Sequence, residues 1–315
     1  MEAKTNISLS FTTCCVCGSG NAKQIGIGED FEYHTSADKF VAMRCNSCSL
    51  VYLNPRPLTS EFSKIYPSNY HAFDFSKKKY GFAYKMRSRL EASRFIKRCR
   101  NLPLEARILD VGCGDGFHLD LFRRFGKKSW KVEGIDIDKR AVVAARGLGF
   151  NVHLGTVEEI DLPGNGYDLI FMIQTIEHVE WPDKALAEIY RLLKKNGRLV
   201  IITDNTDSID FELFKGSYWG GYHFPRHLNL FNKHSLSMLG EKSGFEIEHI
   251  RTIVSPVNWV YSIHNLLVGW KAPRWFISGF TLRSTISLSI FTGLDFILQK
   301  MGKGALLEAT LRKPY

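Results

Sequence analysis

The sequence predicts an α/β protein built on a parallel sheet, with a small metal-binding module in front of it. Three observations lead there. From Arg107 onward, strand-like and helix-like patterns alternate, which places helices over both faces of a parallel sheet. The first of those strands runs into a glycine-rich turn, Gly112-Cys113-Gly114-Asp115-Gly116, that opens a helix. Two Cys-x-x-Cys pairs stand near the N-terminus, with 27 residues between them.

Cys14-x-x-Cys17 and Cys45-x-x-Cys48 each present two thiolates from one turn, and four thiolates complete a tetrahedral zinc shell. Such a closed site has no position for a substrate, so the zinc expected there is structural. Cys15 is an alternative to Cys14, although the Cys-x-x-Cys-Gly register favours Cys14. The total of seven cysteines is odd, which argues against a disulfide framework and for a reducing compartment. This zinc-ribbon module spans 1–55 and ends at Asn54-Pro55-Arg56-Pro57, a stretch that disfavours helix. Residues 56–105 read as a helical connector, with Tyr66 and Tyr70 placed to form a lid. Phe82, Met86, Leu90 and Ile96 recur there near helical spacing.

Residues 106–315 form the main domain. ARILDV is its first strand, FHLDLFRRF the helix after the glycine turn, WKVEGIDI the second strand and KRAVVAARGLG the second helix. NVHL, YDLIFMIQ and GRLVIITD supply three more strands, with the helix DKALAEIYRLLKKN before the last of them. FEIEHIRTI reads as a strand, 258–301 as a helical insertion, and ALLEATLRKP as the final strand. The glycines let the backbone approach a ligand closely. Phe117 stands where a dinucleotide fingerprint needs its third glycine, which points away from a pyrophosphate. Asp136 ends the second strand, where a carboxylate can accept both hydroxyls of a ribose.

Composition sets outer bounds. With 44% apolar and 23% charged residues the chain can bury a real core, which excludes disorder. No run reaches the ~18 apolar residues of a membrane span, and the N-terminus lacks the pattern of a secretory signal, so a cytoplasmic location is expected. The net charge of +10 is uneven: residues 77–100 hold ten Lys/Arg against Glu91, and residues 251–307 hold six against Asp295.

Residues 107–205 resemble the class I S-adenosylmethionine-dependent methyltransferases. ILDVGCGDG is similar to their first motif, VEGIDID to their second, and YDLIFMIQTIEHVEWPDKALAEIYRLLKKNGRLVIIT to the region of their fourth and fifth strands. The resemblance implies a Rossmann-like seven-stranded sheet with an antiparallel last strand, and S-adenosylmethionine as cofactor. Gly112, Gly114 and Gly116 would line its methionine part, with Asp110 in the same site, and Asp136 would hold the ribose. Ile137 and the Thr156-Val157 turn would flank adenine, and Gln174 would close the pocket. Thr156 stands where many members have an acid for the adenine amino group.

A narrower resemblance covers almost the whole chain. The cysteine pairs, LVYLNPRP, IYPSNYHAF and YWGGYHFPRHLNLFN are similar to bacterial methyltransferases of surface-polysaccharide, deoxysugar and secondary-metabolite pathways. It implies a small-molecule, sugar or lipid-linked glycan acceptor. An RNA methyltransferase, suggested by the basic charge, is the alternative, and a non-catalytic binding protein on the same fold is a third reading.

Two segments carry candidate catalytic groups. Glu177-His178 follows the fourth strand at the carboxyl edge of the sheet, where such folds bind ligands. In ubiquinone-pathway O-methyltransferases a similar pair, with an acid three residues earlier, can hold a divalent metal; here that position is Gln174. The second segment runs from Tyr218 to His227. His227 is the preferred base, Arg226 an anchor for a phosphate or carboxylate, and Tyr218 an aromatic contributor. In the tail, Trp259, Trp270, Trp275 and Phe276 stand beside Lys271 and Arg274, and Ile286, Ile290, Leu294 and Leu298 form a stripe. That stripe either packs on the core or meets an anionic membrane surface.

Overall fold

The computed structural model describes residues 6–67, 70, 89, 91–92, 95–96 and 98–315. Most of the lysine- and arginine-rich stretch 77–100, with Phe82, Met86 and Leu90 of the helical connector, therefore lies outside the described residues. Near the N-terminus, strands β1 (Ala22–Gly28), β2 (Phe40–Cys45) and β3 (Val51–Leu53) form an antiparallel meander.

The main sheet has seven strands. Its parallel part comprises β4 (Arg107–Val111), β5 (Lys131–Asp136), β6 (Asn151–Leu154), β7 (Tyr167–Ile173) and β8 (Leu193–Asp204). A two-residue strand, β9 (Asn229–Leu230), leaves the main sheet and joins β3. β10 (Glu246–Ile253) and β11 (Leu306–Arg312) complete the main sheet in the order β10-β11-β8-β7-β4-β5-β6. Only β11 runs against the others; it pairs β8 from Arg198 opposite Arg312 to Asp204 opposite Leu306. The sequence expectation of a Rossmann-like seven-stranded sheet with a reversed last strand thus holds.

Strand β7 is a continuous apolar run, Leu169-Ile170-Phe171-Met172, buried on both faces because helices cover both. Those helices include α1 (Phe117–Phe125), α2 (Lys139–Gly147) and α3 (Pro182–Leu192). α2 starts on an Asp138 cap, whose side chain accepts from the backbone N–H groups of Arg140 and Ala141. α3 is shorter than its sequence pattern: Leu193 already pairs with Tyr167, and the chain turns at Asn196, which has a φ of 61°. Beyond β8 come α4 (Ile209–Phe214) and α5 (Lys233–Lys242), the latter opened by an Asn232–Ser235 capping box. The insertion before β11 holds α6 (Val257–Gly269), α7 (Arg274–Ile277) and α8 (Thr285–Lys300).

The first 55 residues do not stand alone, which corrects the picture of a separate module. β9 from the main domain supplies the edge strand of their sheet. Cys14, Val16, Leu50 and Tyr52 share one apolar core with Leu186, Phe231 and Leu236. Sequence spacing reports local turns, whereas this shared edge joins residues nearly two hundred positions apart.

Candidate active site

The carboxyl ends of β4, β5, β7 and β8 converge on two adjoining regions. The first is the glycine turn. Gly112 has a φ of +80°, and a Cβ there would meet the Thr175 side chain at 2.3 Å, so only glycine fits. The Gly112 and Cys113 N–H groups donate to the Ile135 carbonyl, at 2.8 and 3.0 Å. Asp136 accepts from the N–H of Gly114 at 2.8 Å and of Asp138 at 2.8 Å, so its carboxylate holds the turn against the end of β5. Burial raises its pKa above the ordinary carboxylate value. Asp110 is buried with both carboxylate oxygens unpartnered, and His118 Nδ1 lies 3.6 Å away. A buried, unpartnered carboxylate beside an open backbone turn suits a cationic ligand group such as the ammonium of S-adenosylmethionine.

Ile137 is exposed just beyond Asp136, Val157 is buried and Thr156 is half-buried. Glu159 supplies an acid to that turn after all: its carboxylate accepts the Thr156 N–H at 3.2 Å. Gln174 is exposed at the end of β7 in a left-handed conformation, with its N–H on the Ile202 carbonyl at 2.7 Å.

The second region is a cluster of histidines and tyrosines. His178 and His227 meet edge to face with ring centroids 4.5 Å apart, and His223 lies 5.0 Å from His227. His227 Nδ1 contacts the Gly221 carbonyl at 2.7 Å and Asp204 Oδ2 at 3.3 Å. A carbonyl only accepts, so Nδ1 carries the proton and Nε2 keeps its lone pair. His178 Nδ1 lies 3.1 Å from the Arg226 carbonyl and 3.0 Å from the Tyr66 hydroxyl, which sets the same tautomer. Burial pushes the His178 pKa down to about 3, with the neighbouring His223 adding to it; burial likewise holds His227 well below its ordinary value. Glu177 is fully buried: Oε2 accepts from the Thr203 hydroxyl at 2.8 Å, and Oε1 has no partner. Burial raises both the Glu177 and Asp204 carboxyls, and each is further opposed by a nearby acid. Glu177, His178 and His227 bring one donor atom each within 4.8 Å of the others, a set that suits a divalent cation.

Two expectations are corrected here. Arg226 is not free to anchor an anion. Its Nε donates to the Ile65 carbonyl at 2.7 Å, and its terminal nitrogens to Asp30, the Phe224 carbonyl and Thr35. Those partners account for all five guanidinium N–H donors. Tyr218 packs on Phe31 at 5.7 Å and fills the space left by Gly269, so packing occupies its ring.

The sequence reading missed the loop between β1 and β2. Asp30 accepts the Tyr33 and Thr35 N–H groups and pairs with Arg226. Burial alone would raise its carboxyl, but the Arg226 hydrogen bonds and charge outweigh burial and hold it well below the usual range. Glu32 binds His223 Nδ1 at 2.7 Å, and the Tyr70 hydroxyl lies 3.4 Å from His223 Nε2. The acids in GEDFEYHT were the available signal, but nothing local pointed to partners so distant.

The cysteine knuckles bring four sulfurs together, with Cys14 and Cys48 3.3 Å apart and Cys17 and Cys45 3.5 Å apart. Those separations exceed a disulfide bond and approach the ~3.8 Å edge of a tetrahedron with Zn–S bonds of ~2.3 Å. Cys15 stands apart, with its thiol donating to Asn229 Oδ1 at 3.2 Å. Cys99 and Cys113 are buried among apolar neighbours.

A family model describing a methyltransferase domain matches residues 82–250. The chain belongs to that family. Among curated proteins, this methyltransferase is 29% identical over 143 residues to a probable S-adenosylmethionine-dependent methyltransferase of Mycolicibacterium smegmatis, covering 45% of this chain and 52% of that one. It is 27% identical over 175 residues to a ubiquinone biosynthesis O-methyltransferase of Cereibacter sphaeroides, covering 51% and 70%. The alignment therefore spans about half of the Mycolicibacterium relative's length. Among solved structures, phosphoethanolamine N-methyltransferase 2 of Haemonchus contortus, bound to S-adenosyl-L-methionine, superposes with a TM-score of 0.53 at 18% identity, covering 94% of this chain and 70% of that one. That likeness shows the fold. No helix among the described residues is long and apolar enough to cross a membrane.

Proposed function

We propose that this protein transfers the methyl group of S-adenosylmethionine to a proton-bearing group on a small-molecule, sugar or lipid-linked glycan acceptor, with His227 as base and the four knuckle cysteines holding a structural zinc. The observation that carries the first part is the state of His227. Its Nδ1–H rests on the Gly221 carbonyl, so Nε2 is the basic atom, and Asp204 lies where it stabilises the imidazolium that forms. When bound, S-adenosylmethionine supplies an electrophilic methyl on a sulfonium centre. Asp110 would hold its ammonium, the glycine turn its methionine backbone, Asp136 its ribose, and the 156–159 turn its adenine.

The residues around His227 then bind and orient the acceptor. His178, Tyr66, Tyr70, Tyr33 and His223 form an aromatic wall suited to the apolar face of a sugar or small ring. Burial keeps the two histidines unprotonated at ordinary pH, so each has a lone pair available to accept a proton. The same burial lowers their basicity and leaves Asp204 to stabilise the imidazolium of His227. It also excludes water from the reacting pair.

The test uses labelled S-adenosylmethionine with nucleotide-linked sugars and lipid-linked saccharides as acceptors. Turnover is expected from the wild type, with kcat in His227→Gln lowered about 10²–10⁴-fold, the usual range for a lost general base. Calorimetry should show donor affinity unchanged in His227→Gln and weakened in Asp136→Asn. An unchanged kcat in His227→Gln would remove that residue as the base.

A further inference from the structure

We infer that the helical insertion docks the protein on an anionic lipid bilayer, with residues 270–301 as the membrane-facing surface. Helix α8 is inside out, and α7 buries no side chain. In α8 the buried positions are the polar ones, Ser287 and Asp295. The Asp295 carboxylate accepts the backbone N–H groups of Ser255 at 2.8 Å and Ala305 at 3.1 Å, tying the helix to the main domain. The face turned to solvent carries Ile286 (74% exposed), Ile290 (61%), Ile297 (60%) and Met301 (69%). With Leu294 (37%) between Ile290 and Ile297, they recur every three or four residues along one side of the helix, Met301 standing just past its end. Trp270, Trp275 and Phe276, in the same insertion, are exposed as well. Trp259, by contrast, is buried and stacked on Phe291 at 5.7 Å, so the insertion builds its own small core and still leaves an apolar face uncovered.

Charge identifies the occupant. Lys271, Arg274, Arg283, Lys300 and Lys303 of the insertion and the turn after it are all exposed, and the segment's single acid, Asp295, is buried. A second copy docked face to face would bring like charges together with no acid between them. A bilayer of anionic lipid offers phosphates to the cations, headgroup depth to the tryptophans and acyl chains to the isoleucines. The segment would lie in the plane of the interface, since no helix among the described residues is long enough to cross it.

Full-length protein sedimented with vesicles tests this directly. Vesicles of phosphatidylcholine alone are compared with equal parts phosphatidylcholine and phosphatidylglycerol, at low and high salt. Binding to the anionic vesicles at low salt is expected, weakened by salt and accompanied by a blue shift of tryptophan emission. Lys271→Ala and Arg274→Ala should each lower the partition about fivefold. Trp275→Ser combined with Ile290→Ser should abolish it, while melting curves stay at wild type because all four side chains are exposed. Absence of binding to anionic vesicles at low salt overturns the proposal, and so does binding that these substitutions leave unchanged. A concentration-dependent dimer dissociated by Trp275→Ser with Ile290→Ser, without vesicle binding, would assign the face to a second copy instead. The readout needs no turnover, so its failure would leave the proposed methyl transfer standing.

Discussion

Arg226 and Asp210 show how partners decide the role of a side chain. Arg226 shares its guanidinium with Asp30 inside the protein, so its removal strands a buried carboxylate. Arg226→Ala should therefore cost about 3–5 kcal/mol of stability. Chemical denaturation measures this, and a wild-type midpoint with a raised KM for an anionic acceptor would restore the anchoring role. Asp210 accepts the Trp219 indole N–H at 2.6 Å, yet burial pushes its carboxyl up to about 6. Its folded pKa exceeds the unfolded value, so folding favours the protonated form. Its contribution is complete below about pH 4 and is lost as pH rises through 6, for about 3 kcal/mol in all. Asp210→Asn keeps an acceptor for Trp219 and removes the charge. Its stability relative to wild type should rise between about pH 4 and pH 7, and a flat difference across that range would contradict the assignment.

At the scale of elements, the knuckles and α8 make opposite points. Burial pushes the Cys14 and Cys48 thiols up. At Cys45 burial is outweighed by hydrogen bonds, which bring the thiol down to about 7. Four thiolates at this spacing repel one another unless a cation sits among them. Elemental analysis should find about one zinc per chain. Cys45→Ser should raise hydrogen exchange in β1–β3 before the main sheet. A metal-free, fully folded preparation would rule the site out. The knuckles were legible because ligand spacing lies within two short turns. In α8 the stripe of Ile286, Ile290 and Leu294 was also legible, but at 3.6 residues per turn its exposed edge continues through Ile297 rather than Leu298. Spacing shows which residues share a face; what packs against that face decides whether it is buried.

The whole molecule joins its N-terminal segment to the main domain at many points, among them β9 beside β3, Asp30 on Arg226, Glu32 on His223 and Arg56 on Glu180. Deleting residues 1–57 should therefore leave 58–315 without a cooperative thermal transition, as read by circular dichroism. A truncated chain that melts cooperatively and binds S-adenosylmethionine with wild-type affinity would show that the main domain is independent.

The succession along the chain of the seven main-sheet strands and of the helices between Arg107 and Asp204, the glycine turn with Asp136, and the two cysteine pairs were determined by the sequence alone. Each is a local pattern, written in a period of two or 3.6 residues or in the geometry of a single turn. By contrast, α4, β9 and α5 were not read from the sequence. Tertiary structure decided the rest. It gave Arg226 a partner 196 residues away and His223 one 191 residues away, set His178 against His227, and left the apolar face of α8 uncovered. Those outcomes depend on which surfaces meet when distant segments pack, and no periodicity along the chain encodes that.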